Sequence, residues 1–186
     1  ALLFDSVVIP EIAIEGSDLG YPVHRIYCVG QNHRDHVKEM GGDPKSNPPV
    51  FFSKPADAAV PSGSRIAYPP ATGNLHYEVE LVAALKSGGR ELNACHALEC
   101  IYGYAVGIDF TRRDLQAEAK AKGRPWDTAK GFDSSAPVSP IKQAGCVATE
   151  DARIWLEVNG ELKQDARLSD MIWSVAEILV QLSQFY

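Results

Sequence analysis

The chain has 186 residues, 45% of them hydrophobic and 23% charged, which suits one globular domain with a real core and room for a small appendage. Its 18 basic against 24 acidic residues leave a net charge of −6 with no basic block, so the electrostatic footprint of a nucleic-acid binder is missing. No apolar run reaches membrane-spanning length, and no transmembrane helix is expected.

The opening stretch, "ALLFDSVVIPEIAIEGSD", has no basic n-region ahead of an unbroken apolar core and does not read as a signal peptide. Residues 1–24 read as an N-terminal arm punctuated by Gly16, Gly20 and Pro22. "RIYCVG" (Arg25 to Gly30) predicts a buried strand. "NHRDHVKEM" has few breakers and predicts a short helix closed by Gly41 and Gly42. "PPVFFSKP" predicts a short strand bracketed by prolines. "HYEVELVAAL" predicts one continuous strand ending at Gly88-Gly89.

"NACHALECIYGYAVGIDFT" predicts a helix and then a strand that ends near Asp109. "RRDLQAEAKAKG" is rich in helix formers and is stopped by Gly123-Arg124-Pro125. "WDTAKGFDSSAP" reads as a loop. "IWLEVNGELKQ" alternates around Asn159-Gly160, the signal of a type I′ hairpin. "SVAEILVQLSQFY" opens with a capping box, Ser174 with Glu177, and sets Val175, Ile178, Leu179, Leu182 and Phe185 on one face. The sequence stops at Tyr186 on that helix with no closing strand, which reads as a truncated C-terminal end. Strands outnumber helices, so the expected class is α+β, mainly β, with mixed sheets.

The four cysteines, at 28, 95, 100 and 146, form no CxxC pair. Cys95 and Cys100 flank His96, but with no second ligand pair they read as buried or idle thiols rather than a zinc site. A reducing, cytoplasmic setting is the default expectation.

The chemistry concentrates in four places. Glu78 and Glu80 lie two apart in a strand, so they share a face, and their repulsion needs water or a cation to offset it. That pair is either a solvated strand face or half of a site for a hard divalent cation. Asp109 follows Val106 and Ile108, where a carboxylate is costly unless it is paired or metal-bound; the other reading is a cap for the following helix. On a helix, His36 and Glu39 are neighbours, and a carboxylate that holds an imidazole suits it to activate water. A surface helix with an incidental contact explains the same spacing, and His33 shares that face. Lys130 could neutralise an enolate or a substrate carboxylate beside such acids, but taken alone it is simply a lysine.

In this order, "RIYCVGQNHRDHVKEMG", "PPVFFSKPADAAVP", "NLHYEVELV", "GYAVGIDFTRRDLQAEAKAKGRPWDTAKGFDSSAPVS" and "IWLEVNGELKQ…MIWSVAEIL" resemble the fumarylacetoacetate hydrolase family. The match covers nearly everything from Arg25 onward and is nearest to bacterial members acting on fumarylpyruvate and other acylpyruvates. The resemblance implies a mixed β-sheet roll or barrel of the family's C-terminal type over residues 25–186, a homodimer, and a Mg²⁺ or Mn²⁺ site. It carries the metal ligands onto Glu78, Glu80 and Asp109, and the family lysine onto Lys130. The water-activating pair falls on His36 and Glu39, and the pocket positions on Arg113 and Gln116. His33 stands where the family usually has tyrosine. Family members also continue past the last helix into strands and a "TGTP"-type loop that this sequence lacks.

The implied reaction is hydrolysis of a carbon–carbon bond in a 1,3-diketo acid, with fumarylpyruvate giving fumarate and pyruvate. Oxaloacetate decarboxylation and isomerisation or decarboxylation of hydroxydienoates are alternatives on the same scaffold. A non-catalytic fragment or oligomerisation module is the alternative of another class. The expected partner is a small diketo acid.

Overall fold

The computed structural model describes residues 3, 5, 6, 8–33 and 45–186. Chain order runs through β1 (Glu11–Ala13), β2 (Gly20–Pro22), β3 (Ile26–Gly30), β4 (Val50–Lys54), β5 (Ala59–Pro61), β6 (Leu75–His76) and β7 (Val79–Leu85). After these come helix α1 (Ala94–Glu99), β8 (Ile101–Ile108), β9 (Thr111–Arg112), α2 (Arg113–Ala121), α3 (Asp127–Lys130), β10 (Ala136–Val138) and β11 (Lys142–Gln143). The β12 (Arg153–Val158) and β13 (Glu161–Arg167) hairpin and α4 (Val175–Leu182) complete it. The fold is mainly sheet with few helices, and parallel pairing of β10 with β5 makes the largest sheet mixed. Among the described residues, no helix is long and apolar enough to cross a membrane.

Strand β8 is the spine of that sheet. It pairs antiparallel with β7 from Val79↔Ile108 to Leu85↔Ile101, and its other edge meets β10 at Gly107 and β11 at Gly103 and Tyr104. A side chain at Gly103 would strike the Lys142 carbonyl and come within 2.8 Å of the Ile141 side chain. Only glycine lets β11 lie this close. Alternate β8 residues, Ile101, Gly103, Ala105 and Gly107, are buried. Ala105 packs with Ile12, Val23, Ala59, Ala84 and Ile141 in the main core cluster.

Residues 11–23 contribute to that core. β1 and β2 form a hairpin, and backbone bonds tie Ile141 to Ala13 and Glu15 at 2.8 Å each. Ile12 is 3% exposed and Val23 7%, so each stabilises the docked hairpin by about 1.5–3 kcal/mol relative to exposure. A second cluster joins Ala97 of α1, Ile101 of β8 and Leu179 of α4. The local signals behind these elements are visible in their backbones. Asn93 caps α1 through the His96 amide. Ser174 and Glu177 form both bonds of the capping box on α4. Asn159 and Gly160 take the positive φ values, 54° and 80°, of the hairpin turn.

The structure corrects three expectations. "HYEVELVAAL" is not one strand: β6 pairs with β9, β7 pairs with β8, and Tyr77 and Glu78 fall in the break. The Gln164 side chain holds the break open, accepting from the Val79 amide (2.8 Å) and donating to the Tyr77 carbonyl (3.2 Å). "WDTAK" is not wholly loop but includes the single helical turn α3. Phe185 lies beyond α4 and is exposed, not on its buried face, because the helix ends at Leu182 with Ser183 as cap. The helix expected over "NHRDHVKEM" lies almost entirely outside the described residues.

Candidate active site and metal centre

The end of β8 meets the β6–β7 break through a backbone bond from the Asp109 amide to the Glu78 carbonyl, 2.8 Å. This bond brings two of the expected carboxylates together. The single turn α3 ends in Lys130, which is 2% exposed and extends into the gap between them. Its ammonium donates to Glu78 Oε2 at 2.8 Å, Asp109 Oδ2 at 2.6 Å and Thr111 Oγ1 at 2.6 Å. Asp109 does not cap the next helix: the N-cap of α2 is Arg112, with no side-chain cap. That alternative is removed, and Asp109 is the paired, buried acid that its apolar surroundings demanded.

Arg113 begins α2 and donates through Nη2 to Glu78 and through Nη1 to Gln116 Oε1 at 2.6 Å. One helical turn separates Arg113 and Gln116, so both reach the same wall. Gln116 is 4% exposed. Glu78, Asp109, Lys130, Arg113 and Gln116 thus form one hydrogen-bonded cluster. His36 and Glu39 lie outside the described residues. The flanks of their segment are both tied to the entry of α4. Asn32 exchanges two bonds with Trp173, 2.9 and 2.8 Å, and Lys45 pairs with Glu177 at 2.5 Å.

Glu80 completes the group without entering the hydrogen-bond network. Glu80 is exposed on the strand, yet the protein atoms crowding its carboxyl disfavour its charge. That crowding, and then repulsion from Glu78 and Asp109, raises its carboxyl above the ordinary range, and its exposure moderates the shift. Burial also acts on Glu78, but Lys130 and Arg113 outweigh it and hold that carboxyl below its ordinary range. Two neighbouring glutamates are therefore driven in opposite directions, as at sites where carboxylates have distinct roles.

Sequence reasoning missed Lys54. It is 3% exposed, and its ammonium contacts Asp109 Oδ1 (2.9 Å), Ser135 Oγ (2.9 Å), the Phe110 carbonyl (3.2 Å) and the Lys130 carbonyl. Burial lowers its pKa, against the pull of Asp109. The available signal was a lysine sharing a strand face with Phe52 in "VFFSK", where a charge needs a buried partner. Thr111, fully buried, was missed as well.

Among the described residues, no three His, Cys, Asp or Glu side chains are drawn close enough to form a ready-made metal cluster. The Lys130 ammonium stands between Glu78 and Asp109 instead. The donor chemistry nevertheless fits a hard divalent cation, since all three acids offer oxygen. Glu80 is repelled by its two neighbours more than Lys130 offsets, and among the described residues it makes no ion pair. Glu78, Glu80 and Asp109 could hold it if the Lys130 ammonium shifted to share the two acids.

Neighbouring carboxylates shifted in opposite directions beside a buried lysine mark this cluster as a candidate active site. The fumarylacetoacetate (FAA) hydrolase C-terminal family model matches residues 25–186, and the chain belongs to that family. It is 44% identical over 160 residues to the mitochondrial oxaloacetate tautomerase of Mus musculus, covering 86% of this chain and 72% of the relative. It is 46% identical over 136 residues to a fumarylpyruvate hydrolase of Ralstonia sp, covering 73% and 71%. The crystal structure of fumarylpyruvate hydrolase from Pseudomonas aeruginosa in complex with Mn²⁺ and pyruvate matches with a TM-score of 0.93 and 48% identity. That match covers 100% of this chain and 82% of that one.

Proposed function

We propose that the protein is a Mg²⁺- or Mn²⁺-dependent hydrolase that cleaves fumarylpyruvate to fumarate and pyruvate. The observation carrying this reading is the match along the entire chain to a fumarylpyruvate hydrolase whose structure holds Mn²⁺ and pyruvate. Glu78, Glu80 and Asp109 are the proposed metal ligands. A bound divalent ion would supply Lewis acidity at the 2-oxo acid end of the substrate.

The chain's own groups do the rest. Arg113 and Gln116 hold the substrate's carboxylate from α2. His36, oriented by Glu39, takes a proton from water, and the water oxygen bonds to the distal carbonyl carbon. The carbon–carbon bond then breaks, and its electron pair passes to the pyruvyl fragment as an enolate. Lys130 supplies positive charge beside that developing anion before the fragment is protonated and leaves. The same reading takes residues 1–24 as an arm and 25–186 as the catalytic domain of a cytoplasmic homodimer serving aromatic-compound catabolism.

A second reading, enolisation or decarboxylation of oxaloacetate, rests on the identity to the mouse tautomerase. It needs the same cation but no water activation. A panel of fumarylpyruvate, acetylpyruvate and oxaloacetate, each with and without EDTA, separates the readings. The expected result is metal-dependent loss of fumarylpyruvate absorbance, abolished in Glu80→Ala and in His36→Gln. Turnover of oxaloacetate alone, indifferent to His36→Gln, would establish the second reading. No turnover of any substrate would overturn both.

A further inference from the structure

Two lysines enter this cluster, and only Lys130 has a place in the proposed chemistry. Lys54 sits at the end of β4, opposite Lys130, with its side chain 1% exposed. A buried ammonium has three protons to place and is costly if any is left without an acceptor. Here three acceptors take its protons, Ser135 Oγ and the Phe110 and Lys130 carbonyls, while Asp109 Oδ1 lies 2.9 Å away as an ion-pair partner whose hydrogen-bonding capacity is unfilled. Two of those groups belong to residues assigned to the site, and each is held at a specific point. Asp109 lies between the two ammonium groups, with Lys54 2.9 Å from Oδ1 as an ion pair and Lys130 donating to Oδ2 at 2.6 Å, and Oδ1 is the oxygen left without a hydrogen bond. Lys130 is gripped by its main chain, which fixes the root of the side chain that reaches Glu78, Asp109 and Thr111. Ser135 adds a brace by donating to the same Lys130 carbonyl at 3.0 Å.

From this geometry we infer that Lys54 is a positioning residue that locks the Asp109 carboxylate and the Lys130 main chain into the arrangement in which Asp109 accepts a divalent cation. The inference rests on the proposed metal site and adds to it a residue that touches neither ion nor substrate. Lys54 is the one buried residue of β4, and its ammonium lies at the Asp109 oxygen opposite the one that Lys130 contacts. Its effect passes wholly through the carboxylate and the α3 turn. Partners of this kind change metal affinity by about 10–100-fold when removed from sites elsewhere.

The test measures Mn²⁺ alone, by the electron paramagnetic resonance signal of the free ion, on protein whose fold is checked by circular dichroism. Lys54→Met keeps the apolar stem and removes the ammonium. We expect its Mn²⁺ affinity to fall by about 10–100-fold. Asp109→Asn should fall as well, and the double variant should lose little beyond Asp109→Asn, because Lys54 acts through that carboxylate. A purely structural lysine would instead give independent losses that multiply. Folded Lys54→Met with affinity within twofold of the parent overturns the inference. If Lys54→Met does not fold, Ser135→Ala decides: it removes one brace, a loss of severalfold supports the inference, and unchanged affinity overturns it. Glu80→Gln separates the two levels. If it binds Mn²⁺ like the parent, the metal-site reading itself fails. If it loses binding while Lys54→Met retains it, only the role of Lys54 fails.

Discussion

Lys130 shows how a buried ion pair is costlier to break than to replace. Its side chain is 3% exposed, and it faces Asp109 at 8% and Glu78 at 28%. Desolvating these charges consumes most of their mutual attraction, so the pair adds little net stability. Removing one partner is different, because the remaining acids keep the desolvation cost and lose the attraction. Lys130→Met in EDTA should therefore unfold with a free energy lower by about 3–5 kcal/mol, read by urea denaturation. A loss below about 1 kcal/mol would mean that Lys54 and Arg113 already neutralise the acids unaided. At this scale the sequence reveals acids better than their partners. Asp109 stands out because a carboxylate ending "GYAVGI" has no bland place to go, whereas Lys54 and Thr111 are ordinary residues until the fold closes around them. The cues for Glu78 and Glu80 were weaker, and their opposite shifts depend on which cations reach each one.

The elements that the sequence predicted well are those with local causes. Asn159-Gly160 turns the β12–β13 hairpin and the Ser174–Glu177 box starts α4, and neither needs a distant residue. The break between β6 and β7 has no local cause. It depends on Gln164, 85 residues away from Val79, whose amide group replaces the ladder bonds of Tyr77 and Val79. A period-two reading of "HYEVELVAAL" therefore extends the strand through Glu78. The break matters because it frees the Glu78 carbonyl for Asp109 and sends its carboxylate toward Lys130 and Arg113. Gln164→Ala strands a part-buried amide and a carbonyl at a cost of about 1–3 kcal/mol. It should also weaken Mn²⁺ binding by more than an exposed substitution at the hairpin turn, such as Glu161→Ala. Equal affinities for the two variants, measured by titration of the free ion, would detach the break from the site.

At the scale of the molecule, the candidate site draws on several elements of different ladders. Its residues come from β4, the β6–β7 break, the end of β8, α2 and α3, and the five-stranded sheet supplies only part of them. Among the described residues four further ladders, β1–β2, β3–β4, β6–β9 and β12–β13, are each only two strands wide, a size that is marginal in isolation. A ligand that bridges Glu78, Glu80 and Asp109 would bind only when these pieces are assembled, so its binding free energy adds to the stability of the whole. With free Mn²⁺ at a hundred times its dissociation constant, that addition is about 2.7 kcal/mol. For a chain of this size each kcal/mol raises Tm by about 2–4 °C, which gives an expected rise of roughly 5–11 °C. EDTA should reverse it, and Glu80→Gln should show none of it. The competing Lys130 ammonium does not change this arithmetic, because the cost of shifting it is already contained in the measured dissociation constant. A cation that binds tightly yet leaves Tm unchanged would have to bind the unfolded chain equally well, which three acids gathered only by folding do not allow.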